Sequence, residues 1–111
     1  MIDWERVADL RAEVGEEDFA EVVELFLEEV EEVVARLRAA PNPARFEDDL
    51  HFLKGSALNL GFRSFSGLCQ TGEKQAATGQ AAAVNIAQVL ASYEASKQEF
   101  LNGLPQGTRA A

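Results

Sequence analysis

The sequence predicts an all-α protein: an up-and-down antiparallel four-helix bundle with a short N-terminal helix lying across one end. Three observations carry that prediction. Apolar residues recur at steps of three and four along most of the chain, the period of a helix that buries one face. Prolines and several glycines fall between those runs and punctuate them. With 111 residues, 47% hydrophobic and 26% charged, the chain has enough apolar material for one core and no room for a second. The single domain is expected over residues 1–105, with Gln106 to Ala111 a frayed tail.

The helices follow in order. Asp3 can cap a short first helix to about Val14, with Trp4, Val7 and Leu10 on one side. Gly15 breaks it, and Glu16, Glu17 and Asp18 suit the positive end of a second helix. In that helix Phe19, Val23, Phe26, Val30, Val33 and Leu37 form the apolar stripe, while glutamates fill the other positions. The glutamates at 28–32 read as a solvated face. Arg36 and Arg38 complement the dipole at its end, and Pro41 and Pro43 stop it. A third helix should run from Pro43 to Gly61 with Phe46, Leu50, Leu53, Ala57 and Leu60 inward. Ser64 is expected to cap a fourth, through Phe65, Leu68, Cys69 and Ala76 to Gly79. Gly72 inside it costs about 1 kcal/mol against alanine, which weakens the element there. A fifth should run from about Ala82 to Asn102, with Ile86, Leu90, Tyr93 and Phe100 inward and Gly103 and Pro105 closing it.

Charge and cysteine content narrow the functions. Nineteen acidic against ten basic residues give a formal charge of −9. So negative a surface repels phosphate backbones and anionic lipid, so neither nucleic acid nor a membrane is the expected partner. Cys69 is the one cysteine; it can form no internal disulfide and reads as a packed core residue. No leader-like or membrane-spanning run is visible, which makes a cytoplasmic setting the expectation.

One segment reads as more than scaffold: Leu50-His51-Phe52-Leu53-Lys54-Gly55-Ser56-Ala57. Leu50 and Leu53 belong to the buried stripe, so His51 points to water, beside Lys54 and Gly55 and one turn after Glu47 and Asp48. An imidazole that is largely neutral at neutral pH offers a lone pair that can attack phosphorus. Lys54 supplies positive charge for phosphoryl oxygens, and Gly55 clears space for a close approach. Ser56 and Asn59 are candidates for supporting hydrogen bonds. Phe52, Leu58 and Phe62 are candidate apolar contacts for a partner, with burial in the bundle the competing reading for each. From the residues alone a second reading stays open: a surface histidine beside a glycine that lets two helices pack closely.

His51-Phe52-Leu53-Lys54-Gly55-Ser56-Ala57, followed by Leu60-Gly61, resembles the signature of histidine-containing phosphotransfer (HPt) domains. The stretch Leu25 to Glu29 and the pair Leu68-Cys69 are similar to that family as well, so the resemblance spans about Val14 to Phe100. Thr71 and Gly72 depart from it, standing where an acidic and a longer apolar residue are usual. Phe62 departs too, adding bulk beside the docking face.

The resemblance implies an up-and-down four-helix bundle in which His51 is the phosphorylated histidine, Lys54 its charge partner and Gly55 the clearance residue. It implies phosphoryl exchange with the aspartate of a response-regulator receiver domain, supplied through a sensor histidine kinase or hybrid kinase. The partner receiver would contribute magnesium and most of the transition-state stabilisation; this chain is expected to need no cofactor and to be a monomeric carrier, not an enzyme. No general base is evident beside His51, and no glycine-rich phosphate loop is present. Glu47, Asp48, Phe52, Ser56, Leu58 and Asn59 are the expected partner contacts. Docking should be weak, burying less than about 1,200 Å². The alternative function is a helical-bundle adaptor that binds receiver or kinase domains without being phosphorylated. A metal- or haem-binding bundle needs several inward ligands, and the Asp48-to-His51 spacing has no second histidine to pair with.

Overall fold

A computed structural model describes residues 2–104, so Pro105 and the expected frayed tail lie outside the described residues. The order is α1 (Trp4–Val14), α2 (Glu16–Ala39), α3 (Phe46–Leu60), α4 (Arg63–Ala77) and α5 (Ile86–Gly103), with single 3-10 turns at Pro43–Arg45 and Ala81–Ala83. The described residues form a helical bundle without a strand; Ile2 and Phe62 make one isolated bridge. None of these helices is long and apolar enough to cross a membrane.

Local chemistry explains most boundaries. The Asp3 carboxylate accepts from Arg6 N–H and caps α1, and that bond is the chief cause holding its carboxyl below the usual range. Asn42 accepts from Ala44 N–H and starts the chain into α3 through the 3-10 turn, so the α-helix begins at Phe46 and not at Pro43. Gly61 ends α3 in the left-handed region at φ 77°, and a Cβ there would lie 2.6 Å from the Asp3 carbonyl oxygen. Asp3 N–H donates to Gly61 O at 2.7 Å across the same approach.

Three further expectations are corrected. Ser64 does not cap α4, which begins at Arg63, two residues before the start that such a cap implies, and has no side-chain cap hydrogen bond. The alanine run does not open α5: Ala81–Ala83 is a 3-10 turn, and Asn85 caps the helix by accepting from Gln88 N–H at 3.0 Å. The local cap thus outweighs the helix propensity of three alanines. On α2 the stripe turns slightly, with Val34 buried and Val33 and Phe26 only half-buried.

The core gathers Phe19, Val23, Val30 and Leu37 of α2, Leu50, Leu53 and Leu60 of α3, Phe65 and Cys69 of α4, and Val89, Tyr93 and Phe100 of α5. Ile86 and Leu90 pack half-buried at its edge. Phe62 is fully buried between Phe100 and Tyr93, with ring centroids 5.2 and 6.3 Å away, so it adds core and no bulk to the outer surface. Trp4 stacks on Phe100 yet stays 40% exposed, unlike Val7 and Leu10. Gly72 is buried in α4 because a Cβ there would lie 2.8 Å from Leu50 Cδ1, which accounts for a glycine that local propensity disfavours.

Polar ties fix the helices that carry His51. Arg36 of α2 donates to both carboxylate oxygens of buried Asp49 on α3, at 2.8 and 3.0 Å. Within the glutamate run, Glu31 is not simply solvated: it accepts from Tyr93 Oη at 2.9 Å and pairs with Lys97. Burial alone would push the Glu31 carboxyl up, but those two donors outweigh it and leave it below the usual range. Burial first, then Glu31, pushes the Tyr93 phenol up.

Candidate functional site

The Asp49 and Leu50 side chains turn inward, which forces His51 outward on the next hundred degrees of α3. Its side chain is 71% exposed. Glu47, Asp48 and Asp49 occupy the first turn of the helix, where carboxylates complement the dipole. Glu47 and Asp48 lie exposed one turn before the imidazole.

The nearest side chain to the ring comes from another helix. Glu73 of α4 reaches across, placing Oε2 2.8 Å from His51 Nδ1 and Oε1 2.8 Å from Lys54 Nζ. One carboxylate therefore joins the two residues that spacing on α3 singles out. Glu73 is 20% exposed and its Oε1 is fully buried, so Lys54 is the charge that compensates that oxygen. The Lys54 ammonium first, and the His51 hydrogen bond after it, hold the Glu73 carboxyl below the usual range despite desolvation. An ionised carboxylate only accepts, so a neutral imidazole at this distance carries its proton on Nδ1. Nε2 then holds the lone pair.

Spacing along α3 does not reveal Glu73, which stands 22 positions along the chain and reaches the ring from α4. In that neutral tautomer Nε2 has no proton to give up, so the carboxylate is placed as an orienting partner and not as a general base. It sets the tautomer and the ring's orientation.

Gly55 is exposed on the same outer strip, and a Cβ at this position would meet no atom within 4 Å. Close helix packing therefore does not explain this glycine, and the space beside the imidazole is open. His51, Gly55 and Leu58 succeed one another at steps of four and three; Phe52, Gly55 and Asn59 do so at three and four. Phe52 and Leu58 are exposed on this strip, Leu58 at 57%. The Asn59 carbonyl accepts from Arg6 Nε of α1 at 3.3 Å. Ser56 is buried at 7%, on the inner side of α3, apart from the other expected contacts. On α2, Leu25 is 52% exposed and lies 11 residues, about three turns, before Arg36, on the side that faces α3.

Cys69 is fully buried one turn before Glu73, and burial pushes its thiol up to about 12. Such a thiol is inert packing material. No cluster of His, Cys, Asp and Glu among the described residues has the makings of a metal site.

The family model described as the Hpt domain matches residues 21–99. That span contains His51, Lys54, Gly55 and Glu73. Comparison with curated proteins and with solved structures finds no match.

Proposed function

This chain belongs to the Hpt domain family, and on that premise we propose that it is a phosphorelay carrier whose His51 takes a phosphoryl group from, and returns it to, the aspartate of a response-regulator receiver domain. The observation that carries the reading is the exposed imidazole itself, with Nδ1 against Glu73, Nε2 on the far side of the ring, and open space at Gly55 on the same helix face. In the forward step Nε2 attacks phosphorus, the P–N bond forms, and the P–O bond to the receiver aspartate breaks with its electron pair returning to the carboxylate. No proton moves. Lys54, ion-paired with Glu73 beside the ring, offsets the charge that arrives. Magnesium belongs to the receiver, and the chain itself is a carrier and not an enzyme.

The docking face we assign consists of Glu47, Asp48, Phe52, Leu58 and Asn59 of α3, with Leu25 of α2 beside them. Ser56 is left out because it is buried. The apolar side chains supply contact area and the carboxylates a charged rim. A sensor histidine kinase or hybrid kinase supplies the phosphoryl group upstream, and the setting is cytoplasmic and monomeric.

The bundle arrangement we take is up-and-down and antiparallel, with α1 across the end where α3 turns into α4. The ring pairs Phe62–Phe100 and Phe65–Tyr93, and the pairs Arg38–Glu94 and Glu31–Lys97, support it, because one number rises as the other falls.

Incubation with radiolabelled, phosphorylated receiver domains tests the function. The expected result is an acid-labile, base-stable label on the chain that is absent from His51→Gln. Absence of label with every receiver encoded beside two-component kinases in the source genome overturns it.

A further inference from the structure

We propose that Glu73 keeps the Nδ1 proton on the imidazole after a phosphoryl group has joined Nε2, so that phosphorylated His51 stays an active donor at pH values where an unassisted phosphoimidazole has lost that proton. The inference rests on the carrier reading above and extends it to the pH range over which the carrier works.

The geometry leaves room for both bonds. Glu73 Oε2 lies against Nδ1 at 2.8 Å, while Nε2 is on the far side of a ring that is 71% exposed. A phosphoryl group on Nε2 displaces nothing that Glu73 touches. Glu73 also stays anchored, because Lys54 compensates its buried Oε1.

The chemistry makes the Nδ1 proton decisive. Transfer breaks the P–N bond, and its electron pair goes to Nε2. With a proton on Nδ1 the ring departs as neutral imidazole, already in the tautomer that accepts the next phosphoryl group. Without it the ring must depart as imidazolate, a far poorer leaving group. The phosphoryl group passes to an acceptor oxygen, which forms the new P–O bond; when water is the acceptor, its proton goes to the phosphate released.

The charges around the ring set the sign. Glu73 of α4 touches it; Glu47 and Asp48 lie one turn earlier on α3. All three favour the protonated ring. Lys54 opposes them but is paired with Glu73 itself. From α2, Arg36 is bound to Asp49, and from α1, Arg6 is spent on Glu13 and the Asn59 carbonyl. Arg45 stands in the exposed turn before α3. Of these groups, Glu73 is the one in hydrogen-bond contact with the ring. Glu73 is thus a positioning residue that acts through His51.

The test uses the full chain, phosphorylated by the small-molecule donor phosphoramidate, with loss of the phosphohistidine signal to inorganic phosphate followed by phosphorus NMR from about pH 6 to about pH 9, the range around imidazole titration. Glu73→Gln keeps the size and an acceptor oxygen but removes the charge. Its profile is expected to fall about one pH unit earlier, making it about tenfold slower than the natural chain near pH 8. In Lys54→Met the carboxylate is no longer shared, and the profile should move upward instead. Superimposed profiles in phosphorylated natural and Glu73→Gln chains overturn the inference while leaving the carrier reading intact. A downward shift in both variants also overturns it, since that marks general disruption. Failure of His51 to take any phosphoryl group overturns both.

Discussion

Replacing Gly55 should raise stability while lowering transfer, an opposition that an ordinary packing glycine does not produce. Three terms decide the stability side. A new Cβ meets nothing within 4 Å, so no clash term enters; the residue is exposed, so no polar group is desolvated; and its φ is not positive, so the backbone is unstrained. What remains is the helix-interior cost of glycine, so Gly55→Ala should gain about 0.5–1 kcal/mol. For a domain of this size that raises Tm by about 4 °C. Gly55→Leu should keep most of that gain but fill the space between His51 and Leu58. Phosphoryl transfer from a receiver should then slow by at least about tenfold, equivalent to about 1.4 kcal/mol of barrier. Thermal unfolding and a transfer time course on the same three proteins measure both quantities. A Gly55→Ala chain that melts below the natural one, or a Gly55→Leu chain that transfers at the natural rate, refutes the reasoning.

Gly72→Ala should do the reverse. Its Cβ would lie 2.8 Å from Leu50 Cδ1 and 3.2 Å from Val84 Cγ1, so overpacking of about 1–3 kcal/mol exceeds the propensity gain, and urea unfolding should show a lower midpoint. Cys69 should resist alkylation in the folded chain at pH 8 and react only after denaturation, as a buried thiol pushed up to about 12 demands. Glu73 and Glu31 carry carboxyls held below their unfolded values, so the stability each adds is present above about pH 4.3 and is lost as pH falls through the folded value. Urea unfolding of Glu73→Gln should accordingly show a smaller loss between neutral and acid pH than the natural chain; an equal loss would remove Glu73 from the account.

The helices that bury a regular stripe were legible from spacing alone, because burial follows the helical period. Where two neighbours compete for the same edge, as Val33 and Val34 do, the pattern leaves about one residue of rotation open, and packing against the other helices decides. The α5 start was hidden because three alanines have high propensity, whereas the Asn85 cap is a single interaction. The roles open to Phe62 were equal in the sequence; only the rings of Tyr93 and Phe100 draw it inward.

At the site, the spacing of His51, Lys54 and Gly55 was legible because all three lie on one helix. Glu73 was not, since its relation to His51 runs between helices and leaves no local pattern. A signal did exist. Folding α3 and α4 back on each other at Gly61 brings residue 51 opposite residues 72 and 73, and the carboxylate there is Glu73.

The claim on which the function depends is that Nε2 of His51 is the nucleophile because Nδ1 is protonated and bound to Glu73. His51 is the one histidine in the chain, so long-range proton–nitrogen NMR of a labelled sample reports on that ring alone. The account predicts a proton on Nδ1 in the resting chain and, after phosphorylation, phosphorus coupled to Nε2 with the Nδ1 proton retained. Phosphorus on Nδ1, or a resting ring with its proton on Nε2, would contradict it.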